Sequence, residues 1–502
     1  MASSTAVSDA DPVLRSSFDR YSGRPALDFR GRVVTYGELD RLAARFAAGL
    51  RAYRVAPGEA VAVRAGTSPE AVLALLGNLS AGAIHVPLNP VLTAEESRHI
   101  LTDSDARLVV APAGADCPYE RHVSFEDLLK AGSAASDRIE EPHPEAIALL
   151  LYTSGTTGRS KGVELSARAV LSNLGSVARL WRISENDRVC IALPLFHVHG
   201  LGLGVIGSLL SGATVLLEDA FDPARVVTAF QDRGATVFMG VPTMYVRLLE
   251  HLSREPGAAA ALSKARLFTS GSAPLSADDF AAFRAVTGHA ILERYGMTET
   301  LFGLSNPFEG ERRPGTVGLP VPGTKIRVVD DAGADVPEGE PGELLVRTDG
   351  LMTRYRNRPD ETAASFRDGW FVTGDIATRA ADGYVTLHGR KSVDFVKSGG
   401  YRISTREIED VLSRHPDVKE VAVVGLPDRV WGQRVAAAVI PAPGAGYENL
   451  AEALRSLAAE GLAPYKQPRE IVLMPSFPRT PLGKVQKNAL AAGIAARTKD
   501  AG

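Results

Sequence analysis

Cysteine is almost missing: Cys117 and Cys190 are the only two in 502 residues. Two thiols supply neither a disulfide framework nor a four-ligand zinc set, which fits a reducing cytoplasm. Neither has an evident activating neighbour in sequence. A basic excess is missing as well. Lysine and arginine number 56 against 59 acidic residues, a net charge of −3, so the phosphate neutralisation that nucleic-acid binding requires is not expected. No apolar run approaches the roughly 18 to 20 residues of a membrane helix. Residues 1–10 lack a basic stretch followed by an apolar core, so no secretory leader is expected there and the first dozen residues read as a loose tail.

What is present is a chain with 45% hydrophobic and 23% charged residues, enough apolar material for several cores and more than one domain. From about Val61 to Leu292 short apolar strands alternate with turns and amphipathic helices, the signature of helices packed on a largely parallel sheet. The strands are read at residues 61–63, 83–86, 108–110, 148–151, 214–217 and 236–238, and helices at 71–76 and 224–230. Asp222-Pro223 opens the second helix in cap and first-turn positions. After Pro314 the pattern turns to alternating strands and tight turns, an antiparallel, β-rich subdomain over about 314–388. Beyond Gly389-Arg390 a compact segment of a helix, two strands, a helix and a strand forms a domain of its own. The expectation is an α/β protein: a large N-terminal domain, 1–390, with doubly wound sheets and the β-rich subdomain, and a small mobile α+β C-terminal domain, 391–502.

One loop stands out. Thr153, Ser154, Gly155, Thr156, Thr157 and Gly158 follow an apolar strand, and Lys161 follows them. Small residues let backbone N–H groups approach phosphate oxygens, hydroxyls donate further bonds and the cation balances charge. It is not the P-loop of kinases and GTPases, since Ser160 precedes Lys161 and Gly162 follows it. A flexible surface loop is the alternative reading, and the unbroken run of small and hydroxyl residues after a buried strand weighs against it.

The loop resembles the phosphate-binding signature of the adenylate-forming superfamily of acyl-CoA synthetases, carrier-protein adenylation domains and luciferases. Four further segments resemble the family's motifs in family order: residues 293–300, 369–375 with Gly389-Arg390, 397–401 and 481–484. Together they span most of the chain from about Thr35 to Lys487. The resemblance implies ATP-dependent activation of a small carboxylic acid as its acyl-adenylate, followed by transfer to coenzyme A, with Mg²⁺ as the metal. That chemistry brings two anions together, so it needs a metal and fixed cationic donors rather than a strong base.

The family roles carry over residue by residue. Glu299 is assigned to Mg²⁺, as suits a hard oxygen ligand, and Thr298 to the α-phosphate. Tyr295 lies against adenine, whose edge meets Gly271, Ser272 and Ala273; Glu293, Arg294 and Gly296 complete the nucleotide set. Asp375 takes the ribose hydroxyls, and Arg390 reaches the same sugar. Lys484 is the mobile catalytic lysine and Lys487 its decoy three residues on. Lys397, Ser398, Gly399, Gly400 and Tyr401 face the pantetheine arm of coenzyme A, and the hinge falls within Lys391 to Asp394. Either free coenzyme A or a carrier protein fits the same thiol tunnel, and the lack of a fused carrier domain favours coenzyme A.

The acid is read from three segments. His197 and His199 lie two residues apart on one face of an extended segment with no recognisable third ligand, so a zinc site is not expected, and the resemblance puts His197 in the acyl site. Met244 sits on the apolar face of a helix with Arg247 at its border, where a guanidinium could grip a second carboxylate. These segments and Arg294 look like the malonyl-CoA synthetase branch. One departure concerns the acyl pocket: malonyl-type relatives commonly continue the Thr-Glu-Thr motif with Met-Asn-Thr-Ser, whereas this chain has Leu301-Phe302-Gly303-Leu304. Phe302 and Leu304 would change the volume and polarity of that pocket, which keeps a medium-chain or aryl acid as the alternative; malonate or a substituted malonate is the expected acid.

Overall fold

The computed structural model describes residues 13–115, 119–133, 138–153, 160–391, 394–398, 401–428, 431–445, 447–480 and 483–500. The chain divides into two compact units, residues 1–326 with 346–371, and residues 327–345 with 372–502. The boundary read from sequence at 390/391 falls inside the second unit.

In the first unit two large sheets carry the helices. The nine-stranded sheet has six adjacent parallel strands, in the order Pro25–Phe29, Thr214–Leu217, Arg188–Ile191, Val237–Gly240, Leu267–Ser270 and Leu292–Met297. Leu301–Ser305 then runs antiparallel to the last of them. The seven-stranded sheet contains Ala60–Val63, Ile84–Pro87 and Ala106–Ala111 in parallel, with the pair Ile147–Thr153 and Lys161–Ser166 antiparallel. Parallel strands covered on both faces read as continuous apolar runs, which is why residues 60–63, 214–217 and 237–240 are buried throughout.

Local chemistry fixes the helix starts. Asp222 accepts a hydrogen bond from the Arg225 N–H at 3.0 Å, and Pro223 follows it, so the helix Pro223–Gln231 begins where its cap dictates. Thr35 and Glu38 form a reciprocal capping box for Tyr36–Ala52. Behind the parallel strands Phe238, Tyr245, Phe268 and Phe283 pack edge to face, with centroids 4.9 to 6.4 Å apart. Each such ring contributes about 1.5–3 kcal/mol of burial, which makes the carboxyl ends of these strands a rigid platform. His199–Gly207 is a π-helix, a form the sequence reading did not contain. A Cβ on Gly200 would stand 2.6 Å from the Pro194 carbonyl oxygen.

From residue 372 on, the second unit holds the hairpin of Trp370–Arg379 with Val385–Arg390, with Gly383 at its turn. A second sheet pairs Phe395–Ser398 with Tyr401–Ser404, and Gly432–Pro441 with Val418–Asp428 on one side and, in parallel, Glu470–Leu473 on the other. The helices Thr405–Leu412 and Tyr447–Gly461 cover one apolar cluster, and Lys487–Asp500 packs through Leu490 and Ile494 into another. Among the described residues no helix is long and apolar enough to cross a membrane.

Candidate active site

In the first unit the phosphate-loop candidate is bracketed by a strand pair. Thr153 and Lys161 are register partners; Ser154, Gly155, Thr156, Thr157 and Gly158 lie outside the described residues. His99 Nε2 meets the Ser160 carbonyl at 3.0 Å. A Cβ on Gly162 would stand 2.8 Å from Leu150 Cδ1 and 3.0 Å from Tyr152 Cζ. Lys161 extends its ammonium 5.5 Å above the Tyr355 ring.

Tyr355 ties this corner to Glu299. Its hydroxyl donates to Glu299 Oε1 at 2.9 Å, and the Met352 N–H donates to the Glu299 carbonyl at 2.8 Å. Glu299 is buried, so its carboxylate is held in one orientation. That donor set fits Mg²⁺: a fixed, hard oxygen beside the strand turn where Thr298 is half-buried. Among the described residues no cluster of three or more His, Cys, Asp or Glu side chains could hold a metal, so a cation at Glu299 would draw its other ligands from phosphate and water. Tyr355 escaped the sequence reading. Its only signal is an aromatic set among the arginines of 354–358.

The residues expected to meet adenine sit at the carboxyl ends of the parallel strands. Ser272 has a left-handed backbone, φ 69°, and Gly271 is tightly enclosed: a Cβ there would lie 2.5 Å from Arg294 Cζ. Glycine at 271 thus makes room for the Arg294 guanidinium. The Glu293 carboxylate accepts from the N–H groups of Leu275 at 3.4 Å and Gly315 at 3.1 Å, a bracing role that fixes the 271–275 wall. Ala273 follows in that wall, and Tyr295 and Gly296 are half-buried.

Arg294 is the most unusual group here. It is 4% exposed, burial pushes its guanidinium down to about 9, and it stays cationic at neutral pH. Its Nε and Nη2, the two donors of one bidentate edge, have no hydrogen-bond partner among the described residues. Its flat face is covered by Phe302, 4.5 Å away. His199 meets the same ring at 6.4 Å, and both its nitrogens are buried and unpartnered, as is Nε2 of His197. Asn173 holds the Phe302 backbone at both ends, donating to its carbonyl at 2.9 Å and accepting from its N–H at 3.1 Å. Met244 is buried. Arg247, by contrast, is exposed, with its guanidinium 5.0 Å over the Phe221 ring. The structure therefore brings together His199, Phe302 and Arg294, and leaves Arg247 on the surface.

Burial holds these histidines neutral. His197 is lowered to about 4, His85 to about 3, and His199 well below its usual value, in each case by burial first. A histidine depressed in the folded state binds its proton more readily in the unfolded chain, so stability falls as pH drops below about 6.5. At pH 5 His197 and His85 should each have lost about 2 kcal/mol relative to neutral pH, and His199 adds a loss of the same sign. Urea denaturation of the protein at pH 7 and pH 5 checks this; equal midpoints would contradict the buried-neutral assignment.

In the second unit Asp375 and Arg390 are register partners across the hairpin. Arg390 Nε stands 3.0 Å from Asp375 Oδ1, and its Nη1 donates to the Thr373 carbonyl at 2.7 Å. This is a carboxylate with a guanidinium beside it, suited to a vicinal diol. Lys484 is exposed on a tight turn: Thr480 donates to its carbonyl at 2.8 Å, and Gly483 adopts φ 83°. Lys487 is half-buried instead, bonded to Asp394 at 2.7 Å, Glu409 at 2.8 Å and Thr405 at 2.7 Å. The backbones of Lys397 and Ser398 pair with those of Arg402 and Tyr401; Gly399 and Gly400 lie outside the described residues. Cys190 is buried, its thiol pushed up to about 12, and takes no part in this chemistry.

Residues 14–356 match the family model described as AMP-binding enzyme, and residues 407–484 match that of the AMP-binding enzyme C-terminal domain. The chain is 35% identical to the mitochondrial malonate-CoA ligase of Homo sapiens over 84% of its length and 80% of that protein. It is equally 35% identical to a feruloyl-CoA synthase of an Amycolatopsis species, over 95% and 96% of the two chains. Its fold superposes on the crystal structure of ATP-bound MatB from Rhodopseudomonas palustris with a TM-score of 0.89, at 34% identity and covering 96% and 99% of the chains.

Proposed function

This chain belongs to the AMP-binding enzyme family and is an AMP-forming acyl-CoA ligase, and we propose that the acid it activates is malonate or a substituted malonate. The observation that carries this reading is the bidentate edge of Arg294, buried, cationic and without a partner among the described residues. A buried uncompensated charge is costly, and a carboxylate docked on that edge would offset the cost with two parallel charge-assisted bonds. A monocarboxylic acid spends its one carboxylate on the reaction; a dicarboxylic acid has a second to place there. The neutral imidazoles of His197 and His199 can donate to the same group.

The rest of the site follows from the charges that must be managed. Lys161 binds the phosphates, and Thr298 the α-phosphate. Glu299, oriented by Tyr355, would hold Mg²⁺, which supplies charge neutralisation on the phosphates when bound. Asp375 and Arg390 take the ribose. The acid's carboxylate oxygen bonds to the α-phosphorus as the bond to pyrophosphate breaks; the coenzyme A thiol, losing its proton, then bonds to the acyl carbon as AMP leaves. Lys484 serves the first step, and residues 397–401 the second. We place the boundary between the catalytic and mobile domains after Arg390 and the protein in the cytoplasm.

An aryl or medium-chain acid is the competing reading, favoured by the apolar Phe302 and Met244, both buried. The deciding experiment is coenzyme A-dependent AMP and pyrophosphate formation with malonate and methylmalonate against butyrate, octanoate and benzoate, products identified by mass. Preference for the two diacids is the expected result. Preference for monoacids would discard the malonate reading and keep the ligase.

A further inference from the structure

Lys161 is already engaged in this structure. Its ammonium forms an ion pair with Glu361 Oε2, on the short helix Pro359–Ala364, while resting above the Tyr355 ring. The Lys161 backbone is fixed by its register with Thr153, and its neighbour Gly162 accepts the Arg356 N–H at 2.8 Å, so only the side chain is free to change partners. Glu361 is not stranded if Lys161 leaves. Arg358 Nε stands 3.7 Å from its other oxygen, and Arg358 in turn lies 3.3 Å from Asp103. The pair is half-buried, at 27% and 41% side-chain exposure, which makes it an exchangeable contact rather than a structural one.

We infer that Glu361 is a built-in competitor for the nucleotide's phosphates: it holds Lys161 on the Tyr355 ring when phosphates are absent and reclaims it as pyrophosphate departs. This rests on the assignment of Lys161 to the phosphates. A carboxylate and a polyphosphate compete for one ammonium and repel each other across it, so Glu361 weakens phosphate binding and hastens release of the inorganic product. Tyr355 keeps the exchange local. Its hydroxyl stays on Glu299 while its ring offers the ammonium an apolar shelf, so the lysine's change of partner does not release the carboxylate proposed for the metal.

The test is a double-mutant cycle read by calorimetric titration of ATP and of pyrophosphate into the full-length protein with Mg²⁺ present and no acid. Glu361→Gln, nearly isosteric and partly exposed, should bind both ligands about two- to fivefold more tightly than the parent. Pyrophosphate should also become a stronger product inhibitor. Lys161→Met should weaken both ligands, and adding Glu361→Gln to Lys161→Met should change nothing further. Parental affinity in Glu361→Gln, with Lys161→Met still weakened, overturns the competitor while leaving Lys161 on the phosphates. A Glu361→Gln gain that persists in the Lys161→Met background overturns it too, because the effect would not pass through the lysine. Parental affinity in Lys161→Met sinks the phosphate assignment itself, and the competitor with it.

Discussion

Replacing Arg294 by leucine should lower kcat/KM for malonate by roughly 30- to several thousand-fold, since truncating one partner of a buried charge pair costs about 2–5 kcal/mol, while activity on butyrate is unchanged or improved. The same substitution removes a guanidinium that is 4% exposed and lacks partners on one edge, so the unliganded protein should be no less stable than the parent. Malonate should raise the melting temperature of the parent and not of the variant, a readout independent of turnover. Arg247→Leu is the control. Arg247 is exposed on the Phe221 ring, and its loss should leave the preference between malonate and butyrate unaltered. Loss of malonate selectivity in Arg247→Leu with retention in Arg294→Leu would reverse the assignment.

Lys484→Ala should separate the two half-reactions. Acid-dependent pyrophosphate formation should fall about 100- to 1,000-fold, the usual cost of removing one preorganised donor from a charge-developing transition state. Thioester formation from a supplied acyl-adenylate and coenzyme A should stay within a few-fold of the parent. Lys484 is exposed on its turn, so its removal takes away little packing and the folded protein should persist. Equal loss of both steps would sink the assignment of Lys484 to adenylation alone. Lys487 cannot stand in for it, because its ammonium is held in ion pairs with Asp394 and Glu409.

The contrast between those two lysines shows where the sequence stops being informative. Spacing and neighbours pick out both, and only the fold pairs one with two carboxylates and leaves the other on a glycine turn. The parallel body was legible because strands covered on both faces are apolar throughout, and the cap at Asp222-Pro223 was legible because a capping side chain acts within one turn. The π-helix at His199–Gly207 was not, since alternating glycine and apolar residues carry no helical period. Tyr355 was invisible for another reason. It reaches Glu299 from 56 residues away, through a strand of two residues, Arg354–Tyr355, paired to Lys161–Ser166.

By itself, then, the sequence determined the α/β class and, through its resemblance to known motifs, the ligase family, because those motifs are short-range: hydroxyls and glycines around a strand end, a carboxylate two residues after a glycine-methionine strand end, a lysine after a turn glycine. Only the tertiary structure decided which arginine is sealed from water and which lies on the surface. Arg247 and Arg294 are equally good guanidiniums on paper, and the choice turns on desolvation. Gly271 leaves a gap at the end of Leu267–Ser270, Asn173 fixes Phe302 from a separate helix, and together they seal Arg294 from water with its fork unsatisfied. Burial and the loss of hydrogen-bond partners are properties of distant segments brought together, and no local pattern of residues contains them.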